Sequence, residues 1–391
     1  MGCLNSHDAI LTINQEAFQL NPLDNVQPEF MTKAKDYSGL LEIISGQKRG
    51  LKAMFIRSGL SLLTPFYRIV IGWRNHQFNR GKGVSHVGAP VISVGNLTTG
   101  GTGKTPFVIW LASFIRALKT DNPHGRRVAI ISRGYGSPSG GVNDEAMEME
   151  QRLPAVPHLQ GADRVQLAAV AIEELETELL LLDDGFQHRK IARDLDIVLI
   201  DATEPFGYDR LLPRGLLREP TGNIRRADAI VLTRCNQVKE QRRKEIRNLI
   251  LGWHPSAIWA EASMQPATFI QANGDSLNLA ELREQAIITV CAIGNPAVFH
   301  STINQLGLKI IASLEFPDHH LFSRDDLARI ESLTEQHPAR AIVCTHKDLV
   351  KLNVDRIGNC PLFALKIDTV LTSGREALED RIKQLVMRQR N

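Results

Sequence analysis

The stretch VISVGNLTTGGTGKTP, residues 91–106, decides the fold because an apolar run leads into a glycine-rich turn and then into Gly-Lys-Thr. A second apolar segment begins at Phe107, so the pattern predicts a buried strand, a loop and a helix. Glycines let backbone N–H groups close around phosphate oxygens, and the lysine and threonine can reach the terminal phosphates and Mg²⁺. We therefore predict a nucleotide-binding loop made of Thr98, Thr99, Gly100, Gly101, Thr102, Gly103, Lys104 and Thr105.

The loop departs from the usual pattern G-x-x-x-x-G-K-[ST] at its first position, where Thr98 stands in place of glycine. The remaining Gly-Gly-Thr-Gly-Lys-Thr is similar to deviant loops of partitioning ATPases, although a lysine often precedes the two glycines there and Thr99 stands here. The loop indicates that a nucleotide is bound. Its use by a kinase, a switch or a pump stays open at this point.

Further apolar runs follow the loop, and each ends in a cluster of polar residues. These runs cover residues 128–132, 179–182, 197–200 and 229–232. Continuous apolar runs are typical of parallel strands covered by helices on both faces, and ligands gather outside the carboxyl ends of such strands. We expect an α/β fold, with a P-loop NTPase-like core whose mainly parallel sheet is flanked by helices.

The chain is predicted to have four regions. They are a poorly ordered extension (1–47), a region with an amphipathic membrane-surface helix (48–88), the P-loop core (89–260) and a smaller C-terminal α/β subdomain (261–391). Two extended segments, about 258–263 and 267–271, flank Gln265-Pro266 and are predicted to form a two-stranded linker. The subdomain is expected to contain strands at 287–290 and 341–344 and to close with a helix over 376–390.

Residues 51–72 are largely apolar but are interrupted by Arg57, Pro65 and Arg68. A membrane-spanning helix needs about 20 largely uninterrupted apolar residues, so we do not expect this segment to span. Flanking basic residues suit a helix that lies in an anionic membrane surface. An amphipathic helix packed on the domain's own core fits the pattern equally well.

Composition narrows the class of protein. The chain has 391 residues, 43% hydrophobic and 23% charged, which is typical of a soluble protein with two domains. Lys and Arg number 46 against 43 Asp and Glu, so no nucleic-acid partner is expected from charge. Five cysteines without a C-x-x-C pair favour a reducing compartment. No obligate protein partner is expected.

Two acidic pairs are candidates for chemistry. Asp183 and Asp184 end the apolar run 179–182, where P-loop proteins place the acid that holds Mg²⁺. Asp144 and Glu145 lie beyond the glycine-rich segment 133–136. Such acids are often merely solvated, but phosphoryl transfer to an alcohol needs a carboxylate that orients the hydroxyl and takes its proton.

Two further clusters allow both a functional and a structural interpretation. Asp318-His319-His320 follows a Phe-Pro turn and could supply a base with its orienting partner, metal ligands or plain surface residues. Arg214 and Arg218 lie in one loop, where guanidinium groups suit phosphate recognition but are also common on exposed surfaces.

Taken together, the motifs identify a family. They are Val94-Gly95-Asn96 before the loop, Ser132-Arg133-Gly134-Tyr135-Gly136, Asp183-Asp184-Gly185-Phe186-Gln187-His188, Leu217-Arg218-Glu219-Pro220, Gly294-Asn295-Pro296 and Phe316-Pro317-Asp318-His319-His320. With these motifs in this order, the chain resembles the tetraacyldisaccharide 4′-kinases of Gram-negative bacteria from about residue 51 to its C-terminus.

The resemblance implies ATP- and Mg²⁺-dependent phosphorylation of the 4′-hydroxyl of a glycolipid, a tetraacyldisaccharide 1-phosphate, in lipid A biosynthesis. It also implies a peripheral or monotopic protein at the cytoplasmic face of the inner membrane. The implied catalytic residues are Asp144 as general base, His319 as its partner, Lys104 and Arg218. The implied metal-side residues are Thr105, Asp183, Asp184 and Glu219.

The chain departs from the family pattern at two places and has an extension, 1–47, without a recognised counterpart. Asn143 stands where the family usually has glycine, and His346 replaces the glutamate of Thr-Glu-Lys-Asp. The alternative function is a membrane-associated P-loop NTPase switch or partitioning-type ATPase. Thr233-Arg234 faintly resembles a guanine-reading motif, but no Asn-Lys-x-Asp follows.

Overall fold

The computed structural model describes residues 39–118, 126–134, 144–318 and 320–387. The chain forms two compact units, residues 1–42 and residues 43–391. Residues 1–38 of the predicted extension 1–47 lie outside the described residues, whereas residues 39–45 are helical. All the helices and strands labelled in the next paragraph belong to the second unit.

Among the described residues from 51 to 387 there are nine α-helices and thirteen strands. In chain order these are α1 (Leu51–Asn79), β1 (Val91–Asn96), α2 (Lys104–Ala117), β2 (Val128–Ser132), α3 (Asp144–Arg152), β3 (His158–Gln160), α4 (Arg164–Glu173), β4 (Leu179–Asp183), β5 (Leu195–Asp201), β6 (Ala229–Thr233), α5 (Glu240–Trp253), β7 (Ile258–Ile270), β8 (Ser276–Leu277), β9 (Ala286–Cys291), α6 (Pro296–Gln305), β10 (Lys309–Glu315), α7 (Arg324–Gln336), β11 (Ala341–Thr345), α8 (His346–Leu352), β12 (Arg356–Ile357), β13 (Cys360–Ser373) and α9 (Arg375–Met387).

One sheet runs through the whole second unit. Its strand order is β10-β9-β11-β13-β7-β6-β5-β1-β4-β2-β3, with β12 and β8 paired to β13 and β7. In this order, the strands β7, β6, β5, β1, β4, β2 and β3 pair with one another in parallel. The strands β10, β9, β11 and β13 form a second parallel group. The pairing of β7 with β13 is antiparallel and joins these two groups. The expected mainly parallel α/β sheet is confirmed.

Alternate strand residues pack into helical layers on the two faces of the sheet. Ile92 of β1 is buried with Phe107 of α2 and Leu378 of α9. Val91, its neighbour, is buried on the opposite face with Ala168 of α4. Every residue of β1 and β4 is buried, which explains why these segments read as continuous apolar runs. The core therefore fixes the carboxyl ends of the strands, where the polar clusters lie.

The predicted two-stranded linker needs correction. Residues 258–270 form one strand, β7, and not two segments separated at Gln265-Pro266. The partner of β7 is β13, and their pairing shifts between Thr268 and Pro266, so that Ala267 is left out of register. A bulge beside a proline lets the strand continue, because the missing N–H then costs no regular ladder bond. Two strands do connect the halves, but the second one comes about 100 residues later in the chain.

Helix α1 runs for 29 residues, through Pro65, and buries very little of itself. Ten of its large apolar side chains are between 41% and 73% exposed: Leu51, Met54, Phe55, Ile56, Leu62, Leu63, Phe66, Ile69, Val70 and Trp73. The described part of the chain therefore does not cover this surface, contrary to the alternative of packing on the domain's own core. By length and composition alone, α1 is also long and apolar enough to cross a membrane, with a mean hydropathy of 1.2 over 18 residues. This differs from the expectation that the interruptions at Arg57, Pro65 and Arg68 leave the segment too short to span.

Candidate active site

The phosphate loop lies between β1 and α2 at the carboxyl edge of the sheet. Gly103 adopts a left-handed backbone (φ 80°) directly before α2 begins at Lys104. The first N–H groups of a helix have no partner within the helix and lie at the positive end of its dipole, so this point favours an anion. Residues 91–105 thus form the strand, turn and helix start that phosphate binding requires.

A close approach of two turns depends on Gly95. A Cβ at this position would lie 2.6 Å from the backbone nitrogen of Phe186, a distance that side chains do not adopt. The absence of a side chain lets the turn after β4 pack directly against β1. This packing brings Asp183 and Asp184 to the phosphate loop.

Lys104, Asp184 and Arg218 form one charged cluster. The Nζ atom of Lys104 lies 3.6 Å from Oδ1 of Asp184 and 3.3 Å from Oδ1 of Asn96. Nη1 of Arg218 donates to both oxygens of Asp184, at 2.9 Å and 2.7 Å, and to Oε1 of Gln187 at 3.2 Å. Three of the predicted site residues, distant in sequence, are therefore in contact.

Backbone hydrogen bonds hold the loop of Arg218 against the phosphate loop. The N–H of Thr99 donates to the carbonyl of Leu216 at 2.7 Å, and the N–H of Arg218 donates to that of Leu97 at 2.8 Å. The hydroxyl of Tyr67 in α1 donates to the carbonyl of Arg218 at 2.9 Å. The apolar helix and the charged cluster are thus joined through one loop.

The two adjacent acids have opposite environments. Burial raises the pKa of Asp183 to about 6; the nearby Asp184 and Glu145 raise it as well, whereas Lys104 lowers it. Burial alone would also raise the pKa of Asp184, but Lys104 and Arg218 hold it below its ordinary value. Asp184 is accordingly a stable anion, while Asp183 is a carboxyl group that favours the approach of a further cation.

The buried polar atoms at this point fit a nucleotide with a metal ion. Oδ1 of Asp183 and Oγ1 of Thr102 are buried and have no hydrogen-bond partner among the described residues. Thr105, also buried, lies in the first turn of α2. In the described part of the chain no group of three His, Cys, Asp or Glu could hold a metal alone. Mg²⁺ needs no such group, because it commonly takes one or two carboxylates together with phosphate and water oxygens.

Asp144 begins α3 and contacts the C-terminal half of the molecule. Its Oδ2 lies 3.3 Å from Nζ of Lys351 in α8, and both side chains are buried. The next residue, Glu145, lies 3.2 Å from Nζ of Lys347. These two ion pairs place the predicted base at the contact between α3 and α8.

His319, the predicted partner of Asp144, lies outside the described residues. Its neighbour His320 binds Oδ2 of Asp326 at 2.8 Å and stacks on Phe316 at 4.8 Å between ring centroids. Asp318 lies beside Gly294, where a Cβ would come within 3.1 Å of its Oδ2. Of the Asp-His-His motif, His320 has a structural role and Asp318 faces the Gly-Asn-Pro turn.

Glu219 has other partners than those expected of a metal ligand. Its carboxylate is fully buried and accepts hydrogen bonds from Asn75 (2.8 Å), Asn223 (2.6 Å) and Arg226 (2.8 and 3.2 Å). Burial would raise its pKa, but these donors, led by Arg226, hold the pKa below its ordinary value. With both oxygens occupied, Glu219 anchors α1 to the core in this structure, so we do not include it in the proposed metal site.

Sequence reasoning gave no role to three residues that support the cluster. Asn96 and Gln187 belong to recognised motifs, and they contact Lys104 and Arg218. Arg164, buried at the start of α4, donates through Nη1 to the carbonyl of Asp184 at 3.1 Å. No sequence signal marks Arg164, because its position against this turn is set by how α4 packs on the sheet.

Comparisons with known proteins show the family to which the chain belongs. The family model described as tetraacyldisaccharide-1-P 4′-kinase matches residues 56–387. Proteins named tetraacyldisaccharide 4′-kinase from Halothermothrix orenii and Syntrophus aciditrophicus are similar to the chain. The first is 34% identical over 368 residues, covering 85% of this chain and 94% of the relative. The second is 36% identical over 319 residues, covering 75% and 83%.

A solved structure is similar over nearly its whole length. The structure of LpxK from Aquifex aeolicus in complex with ATP aligns with a TM-score of 0.68 and 31% identity. The alignment covers 85% of this chain and 99% of that chain. The sequence motifs, the phosphate loop with its acidic and basic cluster, and these matches agree, and the chain belongs to the tetraacyldisaccharide 4′-kinase family.

Proposed function

We propose that the chain transfers the γ-phosphate of ATP to the 4′-hydroxyl of a tetraacyldisaccharide 1-phosphate. The observation that carries this proposal, beside family membership, is the contact of Lys104, Asp184 and Arg218 at the mouth of the phosphate loop. A transferred phosphoryl group needs positive charge around its oxygens and little covalent help from the protein. This cluster supplies two cations and a carboxylate at one point.

Each residue has a distinct part in the proposed reaction. Lys104 and Arg218 neutralise negative charge that spreads over the phosphoryl oxygens. Asp144 orients the acceptor hydroxyl and takes its proton, and His319 is its proposed partner. Thr105, Asp183 and Asp184 would hold Mg²⁺, which would offset the negative charge of the phosphate oxygens.

The acceptor is proposed to arrive from a membrane. The exposed apolar surface of α1 suits a lipid surface, and Tyr67 links the same helix to the loop of Arg218. An apolar helix face with basic residues at its ends binds anionic bilayers. We therefore place the protein at the cytoplasmic face of the inner membrane, with the sugar headgroup reaching the site between α3 and the phosphate loop.

The test is transfer of label from γ-labelled ATP to the disaccharide 1-phosphate in detergent. We expect a doubly phosphorylated lipid with the wild type, and turnover reduced by about a hundredfold or more in Lys104→Ala and Asp144→Asn. Lys104→Ala should also lose the rise in melting temperature that ATP gives, whereas Asp144→Asn should keep it. Lys244→Ala and Asp380→Asn, at exposed positions, are the matched controls.

The alternative function makes a different prediction for the same assay. A switch or partitioning-type ATPase would hydrolyse ATP at a rate that the lipid does not change and would give no labelled lipid. That result, or wild-type turnover by Asp144→Asn, would contradict the kinase proposal or the base assignment respectively.

A further inference from the structure

The strand order gives the phosphate loop two different sides. On one side of β1 lies β4, which ends in the acids that meet Lys104. On the other side lie β5, β6 and β7 in turn. If the terminal phosphates of a nucleotide face Lys104 and the acids after β4, its base lies on the opposite side of the loop. On that opposite side the protein surface is formed by the carboxyl ends of β5, β6 and β7.

The end of β6 is attached directly to the phosphate loop. The hydroxyl of Thr233 donates to the carbonyl of Thr102 at 2.8 Å. Arg234 follows with a left-handed backbone (φ 54°, ψ 34°). Its Nη2 lies 3.8 Å from the point where a Cβ on Gly101 would be. A bulky residue at this position of the loop would thus touch the guanidinium.

Asp201 at the end of β5 holds the guanidinium of Arg234 by an ion pair. Oδ1 of Asp201 accepts from the N–H and the hydroxyl of Thr203 at 2.9 Å and 2.6 Å, so the carboxylate is itself fixed. The side chain of Arg234 remains 32% exposed. A guanidinium held at its edge keeps its flat face available, and such faces stack on nucleobases.

Two residues continue this surface beyond Arg234. Cε of Met264 in β7 lies 2.5 Å from the point where a Cβ on Gly103 would be. The carbonyl of Met264 accepts from Nδ2 of the exposed Asn236 at 3.5 Å. The surface therefore runs from a flat cation over an apolar thioether to an exposed amide.

We propose that Arg234, Met264 and Asn236 form the seat of the nucleotide base, with Arg234 stacked on the purine and Asn236 facing its hydrogen-bonding edge. This deepens the proposed function, since it rests on binding of ATP by the phosphate loop. An amide both donates and accepts, as the N1 atom and 6-amino group of adenine require. A carboxylate at residue 236 could only accept, which suits the N1–H and 2-amino group of guanine.

The test separates the base from the phosphates. Calorimetry with Mg²⁺ present should show that Arg234→Ala binds ADP and a non-hydrolysable ATP analogue about tenfold or more weakly, as expected for a lost stacking partner. Inorganic tripolyphosphate has no base, so its affinity should stay within about twofold of the wild type. Arg242→Ala, an exposed arginine of α5 paired with Glu245, is the matched control and should change neither affinity.

Asn236→Asp, an exposed substitution, provides the second variant. It should shift the ratio of GTP to ATP affinity towards GTP by about fivefold or more. Equal weakening of nucleotide and tripolyphosphate in Arg234→Ala would assign Arg234 to the phosphates and overturn the proposal. Unchanged ADP affinity together with an unchanged ratio in Asn236→Asp would also overturn it. The binding test contains no lipid, so its outcome does not depend on whether the kinase reaction occurs. Lys104→Ala should lose binding of ADP, of the ATP analogue and of tripolyphosphate, which checks separately that the phosphate loop binds the phosphates.

Discussion

Asp183 and Asp184 are adjacent in the chain, but the fold gives their carboxyl groups different partners. Asp184 lies between Lys104 and Arg218, and these cations keep its pKa low. Asp183 is more deeply buried, its pKa is raised to about 6, and one of its oxygens has no partner among the described residues. The two acids therefore differ within the proposed metal site: Asp184 also holds the two basic residues, whereas Asp183 keeps an oxygen without a partner among the described residues.

The partly buried His158 is expected to make the stability of the protein depend on pH. Its Nε2 lies 2.9 Å from the hydroxyl of Ser132, and burial lowers its pKa to about 4. In the unfolded chain this imidazole binds a proton below about pH 6.5, whereas in the folded protein it stays neutral down to about pH 4. The free energy of unfolding is therefore unaffected by His158 above pH 6.5 and decreases as the pH falls from 6.5 towards 4. At pH 5 the loss is about 2 kcal/mol.

Urea unfolding at pH 7.5 and pH 5.0 measures this loss. His158→Gln should reduce the difference in unfolding free energy between the two pH values by about 2 kcal/mol, whereas the exposed His86→Gln should leave it unchanged. An equal pH dependence in His158→Gln and wild type would show that the imidazole is not held neutral.

At the scale of elements, α3 and α8 carry the contact between the two halves nearest to the proposed base. Asp144 pairs with Lys351 and Glu145 with Lys347, and at the far end of α3 Gln151 binds His346 at 2.8 Å. His346, which departs from the family's glutamate, therefore has a partner in α3. The pairs make the position of Asp144 dependent on α8.

Lys351→Met tests this dependence. The substitution keeps the length of the side chain but removes the charge that holds the Asp144 carboxylate, so we expect kcat to fall about tenfold or more while the affinity for ATP is kept. Lys383→Met on α9, 42% exposed, is the control. Wild-type kcat in Lys351→Met would mean that Lys351 does not position Asp144.

The exposed apolar surface of α1 is expected to bind a membrane. Leu62 is 73% exposed on its apolar surface. Leu62→Glu places a charge there and should reduce co-sedimentation with anionic phospholipid vesicles by about tenfold. Leu249→Glu on α5, at an apolar position 45% exposed, should have no effect. Equal loss in both variants would indicate a general charge effect.

The whole molecule is organised by a sheet that passes from one half into the other. The antiparallel pair β7–β13 belongs to both halves, and Arg152 of α3 adds a hydrogen bond to the carbonyl of Ile367 at 3.0 Å. Since no break in strand pairing separates the halves along the β3-to-β10 path, we expect them to unfold together.

Ile342→Ala in β11 tests this coupling. The side chain is fully buried, and its truncation should cost about 2–5 kcal/mol. Hydrogen exchange under conditions where global unfolding dominates should then rise equally for peptides from β1 and β11. Faster exchange confined to β11 would show that the C-terminal half opens independently.

Local pattern was enough to predict the core strands, the phosphate loop and the acids after β4. The observed strand Val128–Ser132 has the expected bounds, and β4 extends its expected bounds by one residue. These features depend on residues next to one another in the chain. A buried strand needs an apolar run, and an anion site at a helix start needs glycines and a lysine at fixed spacing.

The tertiary structure alone decided which distant residues meet. Three such contacts join segments that no short sequence pattern relates. They are the pairing of β7 with β13, the ion pair of Lys351 with Asp144, and the hydrogen bonds of Glu219 with Asn75 and Arg226. Such contacts follow from strand order and helix packing, which bring together residues that may be 200 positions apart in the chain. The sequence by itself determined the binding loop and its family. The packing of α1 on the core and of α3 on α8 determined the partners of Glu219 and Asp144, because a charge is stabilised by what lies near it in space.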